Sequence, residues 1–176
     1  MVMPMLKMFG AVLIVLAGTL AGLQRARQYA DRPRQIRSLI AALQRLETEI
    51  KYGFTPLPDA LRKIGAQARG PVQQMFVTAA DEMSPPNNRS AKEAIEQAME
   101  IHGSNTALKA PEKEIIRQLS CTLGTSDRSN QTTHITLALQ QLNQEELAAR
   151  DDQGKYEKMS KSLGLLLGVL IVILIF

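Results

Sequence analysis

The chain has 176 residues, 45% of them hydrophobic, enough for one modest core and not two. A formal net charge of +4 and an aromatic content of 4% without tryptophan exclude the basic, aromatic-studded face of a nucleic-acid binder, so no nucleic-acid partner is expected. A single cysteine, Cys121, excludes an internal disulfide and a cysteine-built metal site.

The first element is apolar from Met8 to Leu23, with Val2, Met3, Met5 and Leu6 before it and Lys7 near one end. It is long enough to span a bilayer, and a transmembrane helix is expected over 5–24. A cleaved signal sequence is the competing reading, since Ala17 to Gly22 offers small residues to a peptidase. Arg25, Arg27, Arg32, Arg34 and Arg37 follow directly, with Asp31 alone opposing them.

The stretch that follows has helical periodicity throughout. Arg32-Pro33 reads as a break or a fresh helix start. From Ile36, apolar residues recur at Leu39, Ile40, Leu43, Leu46 and Ile50, and the opposite face carries Arg37, Gln44, Glu47 and Lys51. Gly53 ends that helix, and Thr55 is expected to cap the next, Pro56 to Gln67. Gly70-Pro71 opens a third, whose stripe is Val72, Met75, Phe76, Ala79 and Met83. Pro85-Pro86-Asn87-Asn88 breaks the chain. Ser90 with Glu93 forms a capping box for a fourth helix. Pro111 opens a fifth, closed by Gly124. Thr125-Ser126-Asp127 then caps a long final helix with Ile135, Leu139, Leu142, Glu146 and Ala149 near heptad spacing.

Lys155, Lys158 and Lys161 precede a closing run from Leu163 to Phe176 that carries no charge. At about 1.5 Å per residue it reaches about 21 Å, against a hydrocarbon core near ~30 Å. A buried core helix is the competing reading. The membrane reading has the run borrow Tyr156 to Ser162, with one continuous helix from about Asp127 through Gly154, or has the bilayer thin around it. Gly18-x-x-x-Gly22 and Gly164-x-x-x-Gly168 match a small-residue packing pattern common in any glycine-rich span. Basic residues flanking spans stay in the cytosol. The expected topology is therefore both termini outside and residues 24–162 in the cytosol. The fold class is all-α: a cytosolic bundle of about six helices over 25–158, flanked by transmembrane helices over 5–24 and 159–176.

Nothing in the sequence announces chemistry. His102, His134 and Cys121 fall in different predicted elements, and no HExxH, CxxC, GxGxxG or phosphate-loop spacing occurs. No catalytic residue, cofactor or metal is expected, and the chain reads as a non-enzyme. The corner from Leu123 to Ile135 is the distinctive stretch. Gly124 and Asp127 suit a plain helix–loop–helix turn. Arg128 sits at the unfavourable end of a helix dipole and, with Gln131 and His134, spaces out a polar ridge suited to docking.

Three separated motifs carry a resemblance over nearly the whole chain. They are Arg32-Pro33-Arg34-Gln35-Ile36-Arg37 with Leu46-Glu47-Thr48-Glu49-Ile50-Lys51-Tyr52-Gly53 and Thr55-Pro56-Leu57; the Leu-Gly-Thr-Ser-Asp-Arg corner with Gln131, His134 and Ile135; and Lys155-Tyr156-Glu157-Lys158-Met159 with Lys161-Ser162-Leu163-Gly164. The sequence resembles the stage III sporulation protein AB family of endospore-forming bacteria, which often has a Lys beside the corner histidine where Thr133 stands here. The family is similar to the inner-membrane platform proteins of type II secretion and type IV pilus machines.

The resemblance implies a non-catalytic platform in the channel between mother cell and forespore, in the outer forespore membrane on the mother-cell side. The implied partners are a hexameric secretion-type ATPase, stage III sporulation protein AA, and other proteins of that complex; self-association into a homo-oligomer stays open. The contact is expected on Asp127, Arg128 and Gln131 and on the face with Glu47 and Lys51. The alternative is a membrane-tethered helical adaptor or sensor binding a different protein, or a small ligand inside the bundle.

Overall fold

A computed structural model describes the backbone of residues 2–53 and 55–175, and their side chains except those of 2–15, 25, 157–158, 160–161, 163–165 and 167–175. Six α-helices and one 3-10 turn make up the described residues, with no strand among them: α1 (Val2–Tyr52), α2 (Leu57–Gln67), α3 (Pro71–Met83), α4 (Ala91–His102), the turn Gly103–Asn105, α5 (Ala110–Ser120) and α6 (Arg128–Ile175). Two compact units divide the chain: Met1–Asp31 with Ala149–Phe176, and Arg32–Ala148.

The second unit is the bundle. Its core follows the expected stripes: Ile36, Leu39, Leu43 and Leu46 from α1, Leu61 and Ile64 from α2, Val72 and Met75 from α3, and Ile135 and Leu142 from α6 are all buried. Each such side chain removed from water contributes roughly 1.5–3 kcal/mol, which the entropy of ordering the chain largely offsets. α2 packs on α3, α3 on α4 and α4 on α5. Within the unit α1 and α6 run antiparallel, for Arg32 meets Glu145 at one end and Glu47 meets Thr136 at the other.

Local chemistry explains most helix starts. Ser90 Oγ accepts from the Glu93 amide at 3.3 Å, and Glu93 Oε2 accepts from the Ser90 amide at 3.0 Å, completing the expected capping box. Asp127 Oδ1 accepts from the Asn130 amide at 2.7 Å and caps α6. Gly70 holds φ at +66° just ahead of Pro71, a left-handed turn that favours glycine. A Cβ on Gly65 would lie 2.9 Å from Val77 Cγ2 and 3.2 Å from the Val77 amide nitrogen, so this glycine permits the close approach of α2 and α3.

Three expectations are corrected. α1 runs through Arg32-Pro33 without a break. Pro33 is fully buried and Arg32 is anchored by carboxylates from two other helices, so packing overrides the local penalty of a helical proline. Thr55 does not cap α2. Its hydroxyl donates to Glu49 Oε2 at 3.2 Å, and Pro56 occupies the N-cap without a side-chain bond. The fifth helix ends at Ser120, and turns carry the chain on to Gly124, whose φ is +78°.

In the other unit, the rings of Tyr29 and Tyr156 stack at 5.5 Å with 28° between their planes. Leu16, Leu20, Leu23, Met159 and Leu166 are exposed there. Among the described residues no helix is long and apolar enough to cross a membrane. The spans expected over 5–24 and 159–176 lie mostly outside the residues whose side chains are described. α6 is a single helix through Gly154, as the continuous reading of the closing run requires.

Candidate functional site: a basic groove between the first and last helices

The groove is built from the two ends of the bundle sequence. α1 ends at Tyr52, where the Gly53 amide closes the last turn on the Glu49 carbonyl at 2.9 Å. That leaves Lys51 on the final exposed turn. α6 begins at Arg128 because Asp127 caps it, so Arg128 points from the first turn. Antiparallel pairing brings these two turns side by side. Lys51, Arg128, Ser129, Thr132, Thr133 and Thr136 line a shallow groove of about 280 Å³.

Its electrostatics are simple. Among the described residues no acidic side chain lines it. The hydroxyls of Thr132, Thr133 and Thr136 donate to carbonyls one turn back, at 2.7, 3.0 and 3.0 Å, so they form a neutral floor. Charge selection therefore rests on Lys51 and Arg128, since the Asp127 carboxylate already offsets the partial positive charge of the α6 N-terminus. Glu47 stands beside the groove, where Oε1 accepts from Lys51 Nζ at 3.5 Å and lies 3.4 Å from the Thr136 hydroxyl, whose single proton the nearer Thr132 carbonyl also accepts. Both contacts are long, and exposed pairs of this kind contribute little.

The five residues expected to meet a partner divide in two. Glu47, Lys51 and Arg128 come together. Asp127 and Gln131 serve the corner itself: Asp127 caps α6, and Gln131 Nε2 donates to the Ser126 carbonyl at 2.7 Å. His134 does not continue a ridge from Arg128. It is half-buried and shares a small depression with Ile115 and Gln118 of α5.

The basic residues expected to flank spans also divide. Arg27, Arg34 and Lys155 are exposed, whereas the side chains of Arg25, Lys158 and Lys161 lie outside the described residues. Arg32 is 5% exposed, turned into the bundle. Its Nε donates to Glu112 Oε1 at 2.8 Å, and its Nη2 lies 3.0 Å from Glu145 Oε2. Glu112 is fully buried and also accepts the Lys109 amide at 2.7 Å at the start of α5. Arg37 pairs with buried Glu146 at 3.1 Å. Sequence inspection missed this network. Its one local signal was a glutamate at the capping position of α5.

Elsewhere, the Lys63 ammonium holds the Glu49 carboxyl below its ordinary range, aided by the Thr55 hydroxyl. That contact ties the end of α1 to α2. The cavity inside the bundle, about 40 Å³, is lined by apolar residues including Leu43, Leu61, Met75 and Leu123. It has neither the size nor the convergent polar groups of a ligand pocket.

Comparisons with known proteins agree with one another. The family model for stage III sporulation protein AB matches residues 7–176. Stage III sporulation protein AB of Bacillus subtilis (strain 168) is 46% identical over 171 residues, spanning 97% of this chain and 99% of that protein. A solved structure of stage III sporulation protein AB matches with a TM-score of 0.66 at 42% identity, over 71% of this chain and 98% of the other.

Proposed function

The chain belongs to the stage III sporulation protein AB family, and from that membership we propose that it is a non-catalytic membrane platform of a sporulation channel. In this reading the bundle lies in the mother-cell cytosol and docks a hexameric secretion-type ATPase, stage III sporulation protein AA, at the outer forespore membrane. Other proteins of the same complex surround it.

One observation carries the docking reading: Lys51 and Arg128, from the first and last helices, converge in one open groove of the bundle. Tyr52, on the same last turn of α1 as Lys51, is 77% exposed, and exposed aromatics are enriched at interface anchors. The buried charges support a structural rather than catalytic use. Arg32, Glu112 and Glu146 are each committed to ion pairs inside the bundle.

Two transmembrane helices, over 5–24 and 159–176, would hold the bundle at the membrane with both termini outside. Leu16, Leu20 and Leu23 recur at one-turn spacing and are exposed, which suits contact with lipid. The stacked tyrosines suit the headgroup level, where amphipathic rings concentrate. Arg25, Arg27, Arg34, Lys155, Lys158 and Lys161 would face the cytosolic headgroups. Arg32 leaves that set because its charge is used in the bundle.

Co-purification tests the role. The full chain, extracted in mild detergent from sporulating cells, should bring down the ATPase. Absence of the ATPase from the purified material, with both proteins present in the extract, would overturn the reading.

A further inference from the structure

We propose that the Lys51–Arg128 groove receives an acidic segment of its protein partner, and that Glu47 is the internal carboxylate which this segment displaces. The inference rests on the docking reading above and adds the chemistry of the contact.

Three observations carry it. First, the groove is basic and, among the described residues, no acidic residue is among the side chains that line it, while the hydroxyls of Thr132 and Thr133 are spent on the α6 backbone. A partner can therefore be selected there only by charge and shape, and the complementary charge is negative. Second, the groove already attracts a carboxylate from its own chain. Glu47 reaches Lys51 at 3.5 Å and Thr136 at 3.4 Å, distances that leave room for a better-placed acid. Third, Tyr52, one residue beyond Lys51 on the last turn of α1, is 77% exposed, so a partner that engages this turn meets an exposed aromatic as well as the charge. Lys51 and Arg128 are themselves exposed, so reversing their charge leaves the bundle core untouched.

The roles of the residues differ in sign, which separates this reading from a merely structural one. Removing the charge of Glu47 should strengthen partner binding, because an internal competitor is lost. Reversing Lys51 and Arg128 should weaken it, and salt should weaken wild-type binding through screening.

The test uses the full chain in sporulating cells with a photocrosslinker, Tyr52→p-benzoylphenylalanine, and mass spectrometry of the crosslinked segment. The expected result is an adduct on a protein segment rich in Asp and Glu. Its yield should fall about tenfold in Lys51→Glu/Arg128→Glu. It should rise roughly two- to fivefold in Glu47→Gln, with folding of each variant checked by circular dichroism. An acidic segment from a protein other than the ATPase would support the groove chemistry and move any ATPase contact to another surface. An adduct insensitive to the charge reversals, an adduct on a neutral or basic segment, on lipid or on a second copy of this chain, or no adduct, would overturn the inference. If it is overturned while the ATPase still co-purifies, the docking reading survives without it.

Discussion

Arg32 and Glu112, 80 residues apart in the chain, meet inside the bundle with Nη2 2.6 Å from Oε1. Glu112 is completely buried and Arg32 nearly so, and the pair fastens α1 to the first turn of α5. Deleting one member leaves the other charged in a medium that solvates it poorly. Arg32→Met should therefore destabilise the bundle by about 3–5 kcal/mol, whereas Arg32→Met/Glu112→Leu should recover part of that loss. Urea unfolding followed by circular dichroism checks it. A neutral single variant, or a double variant weaker than the single, would show that the pair does not hold α1 in place.

Two glycines should respond oppositely to the same change. Gly65 lies against Val77 with no room for a Cβ, so Gly65→Ala should cost about 1–3 kcal/mol through overpacking. Gly154 lies within α6 with nothing near the place a Cβ would take, so Gly154→Ala should stabilise that helix by about 0.5–1 kcal/mol. Thermal unfolding of the two variants reads both signs in one experiment.

The Ser90 capping box should leave a mark on pH dependence. The Ser90 hydroxyl, then the Ser90 amide, hold the Glu93 carboxyl below its ordinary value near 4.5. A depressed acid stabilises the fold above its unfolded pKa, and that contribution disappears as pH falls through the folded value. Glu93→Gln should therefore differ from wild type at neutral pH, and the difference should shrink below about pH 4. Unfolding curves at pH 7, 5 and 3 test this. A constant difference would mean that the charge plays no part in the cap.

Cys121 reports topology because it is the chain's one thiol and is exposed. A membrane-impermeant maleimide should leave it unmodified in intact cells and modify it after permeabilisation. Labelling in intact cells would place the bundle outside and remove the cytosolic docking role.

What the sequence disclosed depended on how local each determinant is. Apolar periodicity located the core positions Ile36 to Leu46 and Ile135 to Leu142, since a helix repeats its own face. The Ser90–Glu93 box was readable for the same reason, both partners lying within one turn. Pro33 misled because its local rule forbids a helix interior, while the partners that anchor Arg32 lie far along the chain in α5 and α6. Arg32 looked like one more basic residue at a span for the same cause. Thr55 had the right chemistry for a cap, but Glu49 claimed its hydroxyl. Lys51 and Arg128 were each visible as surface charges. Their meeting in one groove follows only from the antiparallel pairing of α1 and α6.

Vesicle flotation reads out whether the membrane-held chain recruits the ATPase. The full chain is reconstituted into liposomes, mixed with the purified ATPase and spun through a density gradient. The ATPase should rise with vesicles carrying the wild-type chain and stay at the bottom with empty vesicles. Sedimentation of the ATPase away from vesicles that carry the correctly folded chain would contradict the platform role.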